Sequence, residues 1–194
     1  MKKNETLKDG KIVLIRELHE NDLEDLMKFY SELPTEDRKY LRIDVTNKKI
    51  VHQRIKLIKT GSVFRLVALY SGEIIADGAL ELSGEDWRKH QGEIRVIVAR
   101  PYQKKGLGTI MVRELYFLAI KKKVEQVVVK MMRPQVGAQQ IFRKLGFREE
   151  LLIPDYVKDQ EGKKQDLIIM TVNLKELWEE LEQSYSDSDW RRCR

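Results

Sequence analysis

The segment from Glu93 to Thr109 constrains this chain more than any other. Residues 93–99 read Glu-Ile-Arg-Val-Ile-Val-Ala, a short β-branched run of strand character. Arg100-Pro101 stops it, because proline has no N–H to give to a ladder. The next seven residues, Gln103-Lys104-Lys105-Gly106-Leu107-Gly108-Thr109, make a glycine turn that opens a helix with the apolar stripe Leu107, Met111, Leu115 and Leu118. A strand that passes through such a turn directly into a helix is the building unit of an α/β domain.

The rest of the chain extends this unit. After the helix, Val127-Val128-Val129 reads as a strand buried on both faces. A second helix is predicted over 135–145, with Ala138, Ile141, Phe142 and Leu145 at i, i+3, i+4, i+7 and Gly146 as its cap. Strands near 147–153 and 166–173 follow, turning at Gly162. Upstream, 11–16 predicts a strand, and Asn21 or Asp22 caps a helix with the stripe Leu23, Leu26, Met27 and Tyr30. Residues 47–59 carry Ile50, Ile55 and Ile58 and end at Gly61. Strands over 63–70 and 73–82 turn at Ser71-Gly72. The expected fold is α/β, a mixed, twisted central sheet of about six to seven strands flanked by helices. One domain is expected over 1–183, its last element an amphipathic helix over 174–183, with 184–194 a mobile tail.

Composition narrows the setting. Of 194 residues, 42% are apolar and 35% charged, and no apolar run is long enough to cross a bilayer. With no secretory segment behind Met1 and a lone Cys193, a cytoplasmic protein without disulfides is the expectation. The net charge of +6 is compatible with a solvated surface, an anionic cofactor or nucleic acid. The cations are scattered and no recognition-helix or RNA-binding signature accompanies them, so nucleic acid is not an expected partner. His19, His52 and His90 show no metal-ligand spacing, and no metal is expected. Leu177, Trp178 and Leu181 offer a face for a possible homodimer.

The turn at 103–109 suits an anion. At a helix N-terminus up to four N–H groups lack partners, and the helix dipole adds positive potential. Gly106 and Gly108 allow a sharp turn and a close approach, so Gly108→Val is expected to crowd the anion without touching the core. Lys104 and Lys105 add charge. The dinucleotide fingerprint is excluded because Met111 stands where its third glycine belongs, and no P-loop ending occurs. The bland alternative is a strand-to-helix link that uses glycine for geometry alone.

The heptad, the valine-rich strand before it and Leu145-Gly146-Phe147 at the end of the second helix together resemble the GNAT acetyltransferase superfamily. The resemblance covers 93–173 closely and 11–92 as an order of elements. It implies acetyl-CoA as co-substrate, with the pyrophosphate on the amides of Lys104, Lys105, Gly106, Leu107, Gly108 and Thr109, next to Gln103. It implies that Val96, Ile97 and Val98 pair with the pantetheine arm, and that the Val96 N–H stabilises the oxyanion. Gln135 and Phe142 stand where this family often has an asparagine and a general-acid tyrosine. Phenylalanine has no proton to give. Tyr156 replaces it only if a later loop folds inward.

The implied reaction is direct attack by a primary amine, from a protein lysine, a protein N-terminus or a small molecule. An ammonium has a pKa of about 10.4 and must first lose a proton. Glu81 and Glu93, at neighbouring strand ends, are the candidate bases. Glu81 is preferred because Glu93 alternates with Ile97, out of phase with Val96. The missing tyrosine leaves a second reading, a CoA-sensing module with little turnover. Gly84-Glu85-Asp86-Trp87-Arg88 is read as a charged loop that either lines an acceptor cleft or is solvated.

Overall fold

A computed structural model of the chain describes residues 2–174. Of the helix expected over 174–183 only Leu174 is described; Leu177, Trp178, Leu181 and the tail beyond lie outside the described residues. Among those described, no helix is long and apolar enough to cross a membrane.

Two antiparallel strands, β1 (Lys2–Thr6) and β2 (Ile12–Glu17), precede α1 (Leu23–Glu32), α2 (Thr35–Arg38) and α3 (Lys48–Lys56). The hairpin β3 (Val63–Tyr70) and β4 (Glu73–Leu82) follows, then β5 (Gln91–Val98), α4 (Leu107–Lys121), β6 (Gln126–Met132), α5 (Val136–Lys144), β7 (Arg148–Lys158) and β8 (Lys164–Asn173). All eight strands join one mixed sheet in the order β1-β2-β3-β4-β5-β6-β8-β7.

The strand beyond the expected number is β1. Its sequence, Lys-Lys-Asn-Glu-Thr, has no apolar alternation to announce a strand. Long-range ion pairs hold it: Lys3 Nζ lies 2.9 Å from the buried Glu114 of α4, and Arg113 lies 2.7 Å from Glu5. At Ser71 and Gly72 both φ values are positive, 51° and 85°, as a tight hairpin turn requires. Asn47 caps α3 by accepting from the amides of Lys49 and Ile50. Val51 and Ile55 carry the buried stripe of that helix, whereas Ile50 is half-buried at its edge.

Helices cover both faces of the sheet. On one, Leu107, Met111 and Leu115 of α4 are fully buried against Leu66, Leu80 and Ile94. Each such side chain contributes about 1.5–3 kcal/mol of transfer free energy. On the other face, Leu26, Phe29 and Tyr30 of α1 pack with Val51, Ile55 and Val67. The sheet opens at one place. Parallel β5 and β6 pair only over Gln91–Glu93 and Gln126–Val128, after which β5 continues to Val98 without a strand neighbour on that side among the described residues.

Candidate active site

The gap between β5 and β6 leads straight to the glycine turn. Beyond Val98 the chain makes a short 3-10 turn, Arg100–Tyr102, and the Gln103 side-chain amide donates to the Val98 carbonyl at 2.9 Å. Lys104 and Gly106 then take left-handed backbone conformations, φ 59° and 91°. Left-handed residues at alternate positions turn successive amides toward one concavity. The first intrahelical bond of α4 runs from Ile110 N to Gly106 O. Among the described residues, the amides of 104–109 donate no hydrogen bond, and they sit at the positive end of a 15-residue helix. The β1–β2 turn leans on this loop: Lys8 N donates to Lys105 O at 3.0 Å and Asp9 pairs with Lys105 at 2.9 Å. The Lys11 ammonium first, then Lys105, holds the Asp9 carboxyl well below its ordinary value.

The two glycines differ. A Cβ on Gly106 would meet only the flexible Lys8 side chain, at 3.7 Å, so this glycine serves the φ of 91°. At Gly108 it would lie 3.0 Å from Ile141 Cδ1 of α5. The expectation that Gly108→Val crowds only an anion is therefore corrected: Gly108 lets α4 and α5 approach each other, and a larger residue there presses on the packing.

The free edge of β5 has a definite parity. Ser83 N donates to Gln91 O and Ala99 N to Ile75 O, which bracket an unbroken antiparallel ladder between β4 and β5. Hydrogen-bonded pairs alternate along such a ladder. The main-chain groups of Glu93, Arg95 and Ile97 thus face β4, while those of Ile94, Val96 and Val98 face the gap. This corrects the reading of Ile97, whose N–H and C=O are taken by β4. Val96 has its N–H toward the gap.

A cleft opens on the sheet face beneath α1 and α3, and its lining includes Tyr40, Arg42, Arg54, Glu81, Arg95 and Lys130. Its floor is a buried triad: Arg65 Nη2 donates to Asp77 Oδ2 at 2.5 Å and to the Tyr30 hydroxyl at 2.8 Å, and that hydroxyl donates to Asp77 at 2.8 Å. Burial, then the Asp77 charge, pushes the Tyr30 hydroxyl well above its ordinary value. Burial alone would lower Arg65, but the Asp77 charge, Tyr30 and the hydrogen bonds to both together outweigh it and hold the guanidinium firmly charged.

The register Glu81↔Glu93 sets the two candidate bases side by side on this same face, with no bulge between them and Val96. The phase argument that favoured Glu81 therefore falls, since both alternate with Ile97. What separates them is position and partners. Glu81 lines the cleft and accepts from Arg95 and, at 3.3 Å, Arg54. Glu93 is shared by Arg42 and by Lys130 at 3.1 Å. Gln135 and Phe142 also line the cleft; Gln135 accepts from Met132 N at 2.8 Å, and Phe142 is buried edge-on to Phe147. Tyr156 is 64% exposed on β7 and Trp87 76% exposed in its loop, and neither lines the cleft.

The profile of the Acetyltransferase (GNAT) family matches residues 21–147. This chain belongs to that family. The fold agrees with GNAT structures over most of the chain. A GNAT-family acetyltransferase of Streptococcus pneumoniae superposes with TM-score 0.72 at 19% identity, covering 83% of this chain and 99% of that one. A ribosomal-protein-alanine N-acetyltransferase of Brucella melitensis gives 0.71 at 22%, over 82% and 98%. YncA of Salmonella typhimurium, solved with acetyl-CoA, gives 0.72 at 19%, over 84% and 94%. Among curated proteins none matches.

Within this GNAT frame the sequence reading missed the charged triad and the arginines around it. A signal was present. Arg65, Asp77 and Arg95 are charges inside the apolar strands VFRLVALY, EIIADGALEL and QGEIRVIV, where a buried charge requires a partner. Which charge meets which is written in the register, not in any one strand.

Proposed function

We propose that this chain is an acetyl-CoA-dependent N-acetyltransferase that passes the acetyl group directly to a primary amine. One observation carries the reading: the unpaired edge of β5, with the Val96 N–H facing the gap, ends at a loop whose six successive amides have no acceptor among the described residues. A diphosphate fits the loop, and an extended pantetheine arm fits the edge as an added strand held by Val96 and Val98. Gln103 would give up the Val98 carbonyl to it.

In this arrangement the thioester carbonyl lies at the Val96 N–H, which stabilises the negative charge developing on oxygen. The amine nitrogen attacks the carbonyl carbon, the C–S bond breaks and thiolate departs, and the extra proton left on the new amide nitrogen passes through water to the thiolate. A thiol pKa of about 8.5 makes that departure tolerable without the tyrosine that Phe142 replaces. The ammonium proton must leave first. Cations crowd the cleft and disfavour a further positive charge, so they lower the amine's own pKa. Glu81 is the cleft carboxylate that receives the proton, through water, because Arg54 and Arg95 already occupy it.

Two measurements test the reading. Acetyl-CoA at a hundredfold excess over Kd should add about 2.7 kcal/mol of apparent stability, visible as a melting shift. An amine panel scored by thiol release and by mass spectrometry of the acetylated product should then give continuous turnover. Tight binding without turnover of any amine would favour the sensing module; no binding would sink both readings.

A further inference from the structure

The cleft charges do not balance. Among the described residues, Arg42, Arg54, Arg65, Arg95 and Lys130 bring five cations to the lining, against the carboxylates of Asp77 and Glu81 there and of Glu93 beside it. Asp77 is spent on Arg65. Glu81 is divided between Arg54 and Arg95, and Glu93 between Arg42 and Lys130, which leaves a surplus of two positive charges.

The surplus is half-buried. The side chains of Arg95, Lys130, Arg42 and Arg54 are 25%, 32%, 35% and 36% exposed. Burial first, and then the like charges of Arg42, Arg54 and Arg65, pushes the Arg95 guanidinium down to about 10. Unbalanced, half-buried guanidinium groups are costly in an empty site and useful in one that receives an anion. The coenzyme phosphates are not that anion. Their loop lies past Val98, beyond the end of β5, whereas Glu93 and Arg95 lie further back along the strand.

We propose that the acceptor is a small amine that itself carries a carboxylate, of the amino-acid type. The inference rests on the acetyltransferase reading and narrows it. Arg95 adjoins Val96 in the strand, with residues spaced about 3.4 Å apart. A carboxylate on the Arg95–Arg54 pair and an amine meeting the thioester at Val96 therefore belong to one compact molecule. The walls agree with a small occupant. The loop that carries Tyr40 and Arg42 is tied down by Gln160, whose N donates to Lys39 O at 2.9 Å and whose side chain donates to Leu41 O at 2.7 Å. Arg42 also reaches Lys130 O on β6, at 3.3 Å. For such an acceptor the arginines draw in the carboxylate and disfavour the ammonium, so its proton passes more readily through water to Glu81.

The test pairs each proteinogenic amino acid with its decarboxylated amine, as acceptors for the full chain with saturating acetyl-CoA. Thiol release and product mass are read. At least one amino acid should exceed its decarboxylated partner in kcat/KM by tenfold or more. In the double variant R42Q/R54Q each shared carboxylate keeps one cation, and the surplus disappears. The preference should collapse to within a few-fold, through KM for the amino acid, while the acetyl-CoA-induced melting shift persists. That persisting shift also shows that the variant folds. Turnover of the decarboxylated amines at equal or higher kcat/KM overturns the inference and leaves the acetyltransferase reading standing. Turnover of short acidic peptides but of no free amino acid overturns it too. If acetyl-CoA itself gives no shift with the unaltered chain, the underlying reading fails first. If it does, and no amino acid is acetylated or shifts the melt further, the carboxylate inference alone is lost.

Discussion

The glycine turn and the charged cleft lie against the same strand, yet they are built in opposite ways. The turn is made of main-chain donors from consecutive residues, 104–109, aimed by two left-handed conformations and a helix dipole. The cleft is made of side chains from β3, β4, β5, β6, α1, α3, α5 and the loop before α3, brought together largely by sheet register. The contrast teaches where each function is stored. A main-chain site depends on few side chains. A side-chain site depends on each residue that register delivers, and in this chain four of them are arginines.

The largest effect is expected at the cleft floor. Asp77→Asn strips Arg65 of its counter-charge inside the protein and should cost about 3–5 kcal/mol of stability in a urea titration. A loss under 1 kcal/mol would mean the triad is hydrated, and that the two regions differ less than described. Next comes the turn. Gly106→Val forces a branched residue to a φ of 91° and should erase most of the roughly 2.7 kcal/mol that saturating acetyl-CoA adds to the melt. A full ligand shift in that variant would show that the loop geometry is not what binds.

Gly108→Val sharpens the comparison because its effect is on packing. Against Ile141 at 3.0 Å the added bulk should cost about 1–3 kcal/mol without ligand, and Ile141→Ala in the same chain should recover much of it. Failure of that rescue would return Gly108 to the anion. The smallest effect belongs to Asp9→Asn, which releases Lys105 and should tighten acetyl-CoA by about two- to fivefold, as exposed pairs are weak. A depressed carboxyl supports its pair at every pH above the ordinary carboxylate range, and the pair is lost only as pH falls through the lowered value. The ratio of variant to parent affinity should therefore stay flat from about pH 5 to pH 9.

Much of the fold was legible. The strands over 63–70, 73–82 and 93–99 and the two later helices follow from apolar periodicity, and their ends from Ser71-Gly72, Pro101 and Gly146. The first strand was not, because Lys2–Thr6 is held by the distant charges of Arg113 and Glu114, which no local pattern reports. At the site, the reading from single residues went astray where register decides. It separated Glu81 from Glu93, which face each other, and gave Ile97 a role that its bonds to β4 deny it.

What the residue order determined by itself is local: a strand, a break at proline, two glycines and a helix start, since backbone preference and hydrogen-bond supply act over a few neighbours. Only the assembled sheet decided which main-chain edge stays open and which five cations gather around three carboxylates. Electrostatic energy depends on distance in space, and a strand's register places residues far apart in the chain within reach of one another.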